Sequence, residues 1–271
     1  MNKLLTETLG RFGIDPSAFT PYEEDPGIIG ATVPGSIAVA LWKSLRQHHT
    51  ATGLWPVIRL VEFEEHPGGA EAALAPLPKG DVPSLLEPQL QELLETFEEL
   101  LGPDAAGLTL SEIAMRADRS GMFLPDNESP PSELSPWPTE APDVEPTFLE
   151  IRHRGTNAPA EQVHLALVPA KQPWDAIPRL QFGGWNSCPS PDVLAAVARE
   201  WNSRYGAVPA VITMDVLEFH VERPPTTETE CMQLAAEQFV LCEDIVSQGM
   251  LSIRNLAAAL WRSPNWYFWW D

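Results

Sequence analysis

The chain has 271 residues, 44% of them apolar, and carries 17 lysines and arginines against 38 aspartates and glutamates, a formal net charge of −21. That length holds one large domain or two modest ones. The charge repels phosphate backbones and anionic bilayers, so nucleic acid and membrane are excluded as expected partners. It favours a basic protein partner, against the plainer reading that acidity only keeps the chain soluble.

The charge divides the chain into three parts: residues 1–124 (net −10), residues 125–147 (net −6, with no cation) and residues 148–271 (net −5). Three cysteines without a C-x-x-C pair, and a start lacking a long apolar run, lead to the expectation of a cytoplasmic protein with reduced thiols. The longest apolar run, near Ile37–Trp42, is too short to span a bilayer.

In chain order, Leu4, Leu5, Leu9 and Phe12 predict a short helix, followed by an acidic loop to residue 30. Pro34-Gly35-Ser36 opens a second helix that runs to His48-His49 and breaks at Thr52-Gly53. Pro56–Phe63 is β-rich between breakers and reads as a strand. Leucines recurring from Ser84 to Leu101, with Phe97 among them, predict one amphipathic helix closed by Gly102-Pro103. Thr109 and Glu112 form a capping box for another. Residues 125–147 hold seven prolines and six acids, a linker or surface strap with Trp137 as an anchor.

Beyond the strap, Phe148–His153 and Val163–Val168 read as a strand hairpin, and Ile177–Phe182 as a short strand. Ser190-Pro191-Asp192 starts a helix through Val193, Leu194, Val197, Trp201 and Tyr205 that Gly206 closes. Val208–Met214 and Val216–Val221 form a hairpin turning near Asp215. Thr227 and Glu230 cap a helix through Cys231, Leu234, Phe239 and Cys242, and Ser252 caps the last one. Trp266–Trp270 then gives five consecutive aromatics. As a strand they make both faces apolar, so the C-terminal strand is expected at the centre of the sheet, covered on both sides. The expected fold is α/β (α+β): a mixed, largely antiparallel sheet with flanking helices.

Phe182-Gly183-Gly184-Trp185-Asn186-Ser187-Cys188-Pro189 is followed in order by Trp201, Tyr205-Gly206-Ala207, Asp215-Val216-Leu217-Glu218, Arg223-Pro224-Pro225, Ala236-Glu237-Gln238-Phe239, Cys242-Glu243-Asp244-Ile245-Val246, Gln248-Gly249 and Trp266–Asp271. Over about residues 165–271 this set resembles the bacterial family named domain of unknown function 4253, with Glu243 standing where that family has proline. The resemblance implies a soluble bacterial protein, and the gene neighbourhoods of some relatives imply toxin immunity; it implies no activity.

Three groups are candidates for chemistry. Cys188 precedes a helix start, whose dipole would lower a thiol pKa; the competing reading is a small buried apolar residue beside Pro189. Glu218, His220 and Glu222 share a strand face with metal-ligand chemistry, yet alternating polar residues also mark an ordinary solvent face. Asp215, Asp244 and Asp271 fall at strand ends, where sheets of this class place ligands, beside Gly184, Trp185 and Asn186. The competing reading makes Gly183-Gly184 a tight turn. No nucleophile elbow, phosphate loop or zinc-protease motif occurs, so no catalytic residue, metal or cofactor is assigned. The leading expectation is a non-enzymatic, acidic, immunity-like interaction module holding a basic protein partner. The alternative is a ligand binder or enzyme using a pocket around Trp185, Asn186, Cys188 and Asp271.

Overall fold

The computed structural model describes residues 2–23, 25–61, 76–96, 98–102, 104–121, 123, 136–140, 148–153 and 155–271. Phe97, Phe63 and most of the 125–147 segment lie outside the described residues. One seven-stranded sheet organises the chain: β1 (Thr20–Pro21), β2 (Ile29–Pro34), β3 (Leu54–Arg59), β4 (Gln162–Pro169), β5 (Val208–Ile212), β6 (Val216–His220) and β7 (Asn265–Trp269). Its spatial order is β1-β2-β4-β3-β5-β6-β7. All neighbours are antiparallel except β3 and β5, which run parallel with Ile58 opposite Val211. Strands from before and after the acidic segment therefore share one sheet, with β3 inserted between β4 and β5.

The helices are α1 (Lys3–Arg11), α2 (Gly35–Arg46), α3 (His49–Thr52), α4 (Val82–Leu85), α5 (Glu87–Thr96), α6 (Glu98–Leu101), α7 (Leu110–Ser120), α8 (Ala176–Arg179), α9 (Pro191–Tyr205), α10 (Glu228–Leu241) and α11 (Ile253–Leu260). Their ends follow local chemistry. Thr109 and Thr227 cap α7 and α10 through complete capping boxes, and Gly206 ends α9 in the left-handed conformation. Asp118 reaches across from α7 to accept from the Ile253 and Arg254 amides at 2.6 and 2.9 Å, so one buried carboxylate satisfies the start of α11.

Several expectations are corrected. The aromatic strand β7 is an edge strand, paired only with β6. Trp266, Phe268 and Trp270 are buried; Trp201 of α9 stacks on Phe268 at 5.5 Å and meets Trp266 edge-on at 5.5 Å, and Trp270 stacks on Phe268 at 6.1 Å. Tyr267 and Trp269, on the other face, are only half-buried. The exposed edge is closed by side chains instead of a strand: the Cys242 thiol donates to the Trp269 carbonyl at 3.0 Å, and the Ser263 hydroxyl to that of Asn265 at 2.7 Å.

Residues 148–153 are a turn, not a strand, because Glu218 takes the amides of Leu149 and Glu150 at 2.9 and 2.8 Å, removing them from any ladder. β4 accordingly pairs with β2 and β3. Ile177–Phe182 is helix and turn: Asp175 accepts from the Lys171 and Gln172 amides, and Pro178, which has no N–H to offer a ladder, falls inside α8. The expected 84–101 helix is broken at Leu86, between α4 and α5, with Pro88 in the first turn of α5, where its missing N–H costs nothing. Trp137 does anchor: it meets Trp261 at 5.7 Å and lies under the Arg254 guanidinium. Among the described residues no helix is long and apolar enough to cross a membrane.

Candidate functional site

β3, β5 and β7 run in the same direction, so their C-terminal ends gather at one end of the sheet. There, Arg59 ends β3, Ile212 and Thr213 end β5, Asp215 lies in the β5–β6 turn, and Trp270-Asp271 follows β7. With the Leu180–Asn186 loop they enclose a cavity of about 770 Å³, within the size range of small-molecule sites. This is where open sheets with parallel strands place ligands.

The loop that walls the cavity is held in a demanding conformation. Gln181, Gly183, Gly184 and Asn186 all have positive φ. A Cβ at Gly183 would collide with the Pro189 carbonyl oxygen and the Leu194 side chain, so glycine is needed there for the loop to lie against the start of α9. The Gly184 amide donates to the Pro189 carbonyl at 2.9 Å, and the Cys188 amide to that of Trp185 at 2.8 Å. Gly183-Gly184 is thus a tight turn, and the Gly184 amide is not offered to a ligand. Asn186 closes the loop onto the chain end, donating through Nδ2 to the Asp271 carbonyl at 2.7 Å.

Depth sorts the lining residues by charge. Arg59, Phe182, Ile212, Thr213 and Trp270 are buried, whereas Trp185 and Asp215 are half-buried and Asn186, Met214 and Asp271 exposed. Phe182 meets Trp185 edge-on at 4.9 Å and Trp270 at 5.8 Å, forming an aromatic wall. Asp215 is fixed at the rim because its carboxylate accepts from the Trp269 indole at 3.2 Å.

Arg59 is the residue that sequence reasoning missed. It is 5% exposed, and its Nε and Nη1 have no hydrogen-bond acceptor. Its guanidinium lies 6.0 Å from the Tyr22 ring, and among the described residues it forms no ion pair. The Trp270 indole N–H is likewise buried without an acceptor. A cation inside the apolar run Val57-Ile58-Arg59-Leu60-Val61 was the available signal: a charge in the middle of a buried strand is expensive and needs a reason.

Of the expected site residues, Trp185, Asn186, Asp215 and Asp271 line this cavity, and Gly184 and Cys188 do not. Cys188 is buried, and desolvation pushes its thiol up to about 12, opposite to the lowering expected of a helix start, which disfavours the thiolate that a nucleophile needs. Asp244 stands behind the site, accepting the Asp271 amide at 3.1 Å. It lines a second, mostly apolar cavity of about 530 Å³ between Tyr267 and Trp269 of β7, the π-helical turn Ile245–Met250 and α11.

The Glu218, His220 and Glu222 face does not assemble as a metal site. Glu218 is spent on backbone amides, and burial pushes its carboxyl up to about 8. His220 packs edge-on against Trp42 and is pushed down to about 4 by burial, with Arg46 and Lys43 adding to the effect. Glu222 pairs with Arg46 at 3.1 Å. Among the described residues no three His, Cys, Asp or Glu side chains are grouped to hold a metal ion.

No curated protein and no solved structure matches the chain. All the lining residues of the larger cavity except Arg59 come from the part of the chain that has a family match. That C-terminal part, residues 164–271, matches the family described as Domain of unknown function (DUF4253).

Proposed function

We propose that the protein binds a small organic carboxylate in the cavity at the ends of β3, β5 and β7, with Arg59 as the anion anchor. The observation that carries this reading is an arginine only 5% exposed that lines the cavity, with no acceptor for Nε or Nη1 among the described residues. An unanswered buried charge costs several kcal/mol, and an incoming carboxylate would offset that cost. The planar fork of arginine matches a carboxylate bidentately. Asp215 and Asp271 at the rim oppose a dianion such as phosphate. No activated nucleophile lines the cavity among the described residues, which supports a binding role over catalysis.

Calorimetric titration of the full chain with hexanoate, hexanol and inorganic phosphate tests the reading. Hexanoate should bind saturably and the other two should not, and Arg59→Met should weaken hexanoate by about tenfold or more. Absence of saturable binding, or equal binding by Arg59→Met, would overturn it.

A second reading rests on the net charge of −21, which favours a basic protein partner and an immunity-like, non-enzymatic role. Three buried free cysteines support placing that role in a reducing cytoplasm. A pull-down at low and high salt checks it: a basic protein retained only at low salt supports the reading, and its absence counts against it.

A further inference from the structure

The charge pattern of the cavity narrows the ligand. Arg59 lies on its buried side, and the two carboxylates that line it, Asp215 and Asp271, lie at its rim. Asp215 is oriented by its hydrogen bond from the Trp269 indole at 3.2 Å, which occupies only one of its two oxygens, Oδ2. The half-buried Trp185 lines the same cavity and sits against Phe182, so an aromatic surface stands beside the rim carboxylates. A monoanion bound to Arg59 alone would place a further negative charge in a cavity whose rim already carries two carboxylates. A cation alone would leave Arg59 unanswered at greater cost, because it is the more deeply buried charge. One molecule with a carboxylate at one end and an ammonium at the other answers all three, with the ammonium also gaining from the aromatic faces.

We infer that the cavity is built for a zwitterion, an amino-carboxylate whose carboxylate meets Arg59 and whose ammonium lies at the rim beside Asp215 and Asp271. This rests on the reading of Arg59 as a carboxylate site and adds to it the chemistry of the other end. No bond is made or broken; the ligand is recognised by two charges separated by a short apolar body.

The test is titration of the full chain with an ω-amino-carboxylate series from 4-aminobutanoate to 8-aminooctanoate, beside hexanoate and hexylamine. One length in the series should bind about tenfold tighter than hexanoate, since a desolvated charged hydrogen bond is worth that much. Asp215→Asn and Asp271→Asn should each erase most of that gain without weakening hexanoate, from which each removes an opposing negative charge. The Asp215→Asn side chain retains an oxygen for the Trp269 indole, so folding is preserved. If hexanoate binds through Arg59 but no amino-carboxylate improves on it, the zwitterion is refuted and the carboxylate site stands. If hexylamine binds and hexanoate does not, or if no probe binds, both fail.

Discussion

A half-buried arginine and a buried one are treated in opposite ways in this fold. Arg179 on α8 meets a carboxylate that is itself almost fully buried: its Nε lies 2.8 Å from Asp25 Oδ2 and its Nη2 donates to Oδ1 at 3.0 Å. Arg59 is the more deeply placed of the two, yet among the described residues it forms no ion pair and its Nε and Nη1 meet no acceptor, and a cavity lies beside it. Arg204, an exposed residue, is also paired, with Glu237, which takes the Trp201 indole as well. Both of these guanidinium groups have a carboxylate; among the described residues Arg59 has none, and the proposed carboxylate site rests on that contrast.

The comparison breaks first at Arg179. Arg179→Ala leaves Asp25 buried and unpaired, and should cost about 3–5 kcal/mol in urea unfolding; a loss below about 1 kcal/mol would mean that the buried pair is not structural. Glu218 sharpens the contrast, because its buried carboxyl is met by two backbone amides. Its carboxyl is raised from its ordinary value to about 8. Its contribution to stability is therefore full below the unfolded value near 4.5 and is lost as pH rises through about 8. Glu218→Gln should flatten the fall in stability between pH 5 and 8.5 relative to the native chain, measured by denaturant unfolding across that range. An identical slope in both proteins would refute the assignment. The smallest effect is expected at Cys188, which is packed behind the loop and outside the cavity. Cys188→Ala should leave carboxylate affinity within about twofold and stability within about 1–2 kcal/mol; loss of binding would put the thiol in the site.

Helices were the most legible part of the sequence because their caps are local chemistry. Thr109, Ser190, Thr227 and Ser252 each precede the helix they announce. Strand pairing was far less legible. β2 carries only Ala31 and Val33 as buried apolar side chains and is interrupted by Gly30, where any Cβ would strike His164 and Tyr22. It reads as loop until β4 is present to pair with it. The run Trp266–Trp270 correctly marked a buried layer but not its place in the sheet. An edge strand covered by Cys242, Ser263 and the 245–250 turn has the same local composition as a central one. The cavity was half-visible: Trp185, Asn186, Asp215 and Asp271 could be grouped by turn chemistry and strand ends. Arg59, more than 120 residues earlier in the chain, is brought to them by the parallel β3–β5 pairing, which nothing local encodes.

The most direct measurement compares unfolding of the native chain and Arg59→Met, each with and without saturating hexanoate. Without ligand, Arg59→Met should be at least as stable as the native chain, because it removes a buried charge that the fold does not answer; with ligand, only the native chain should gain stability. A variant that is several kcal/mol weaker without ligand, or that gains as much from hexanoate as the native chain, would show that Arg59 serves the fold and not a ligand.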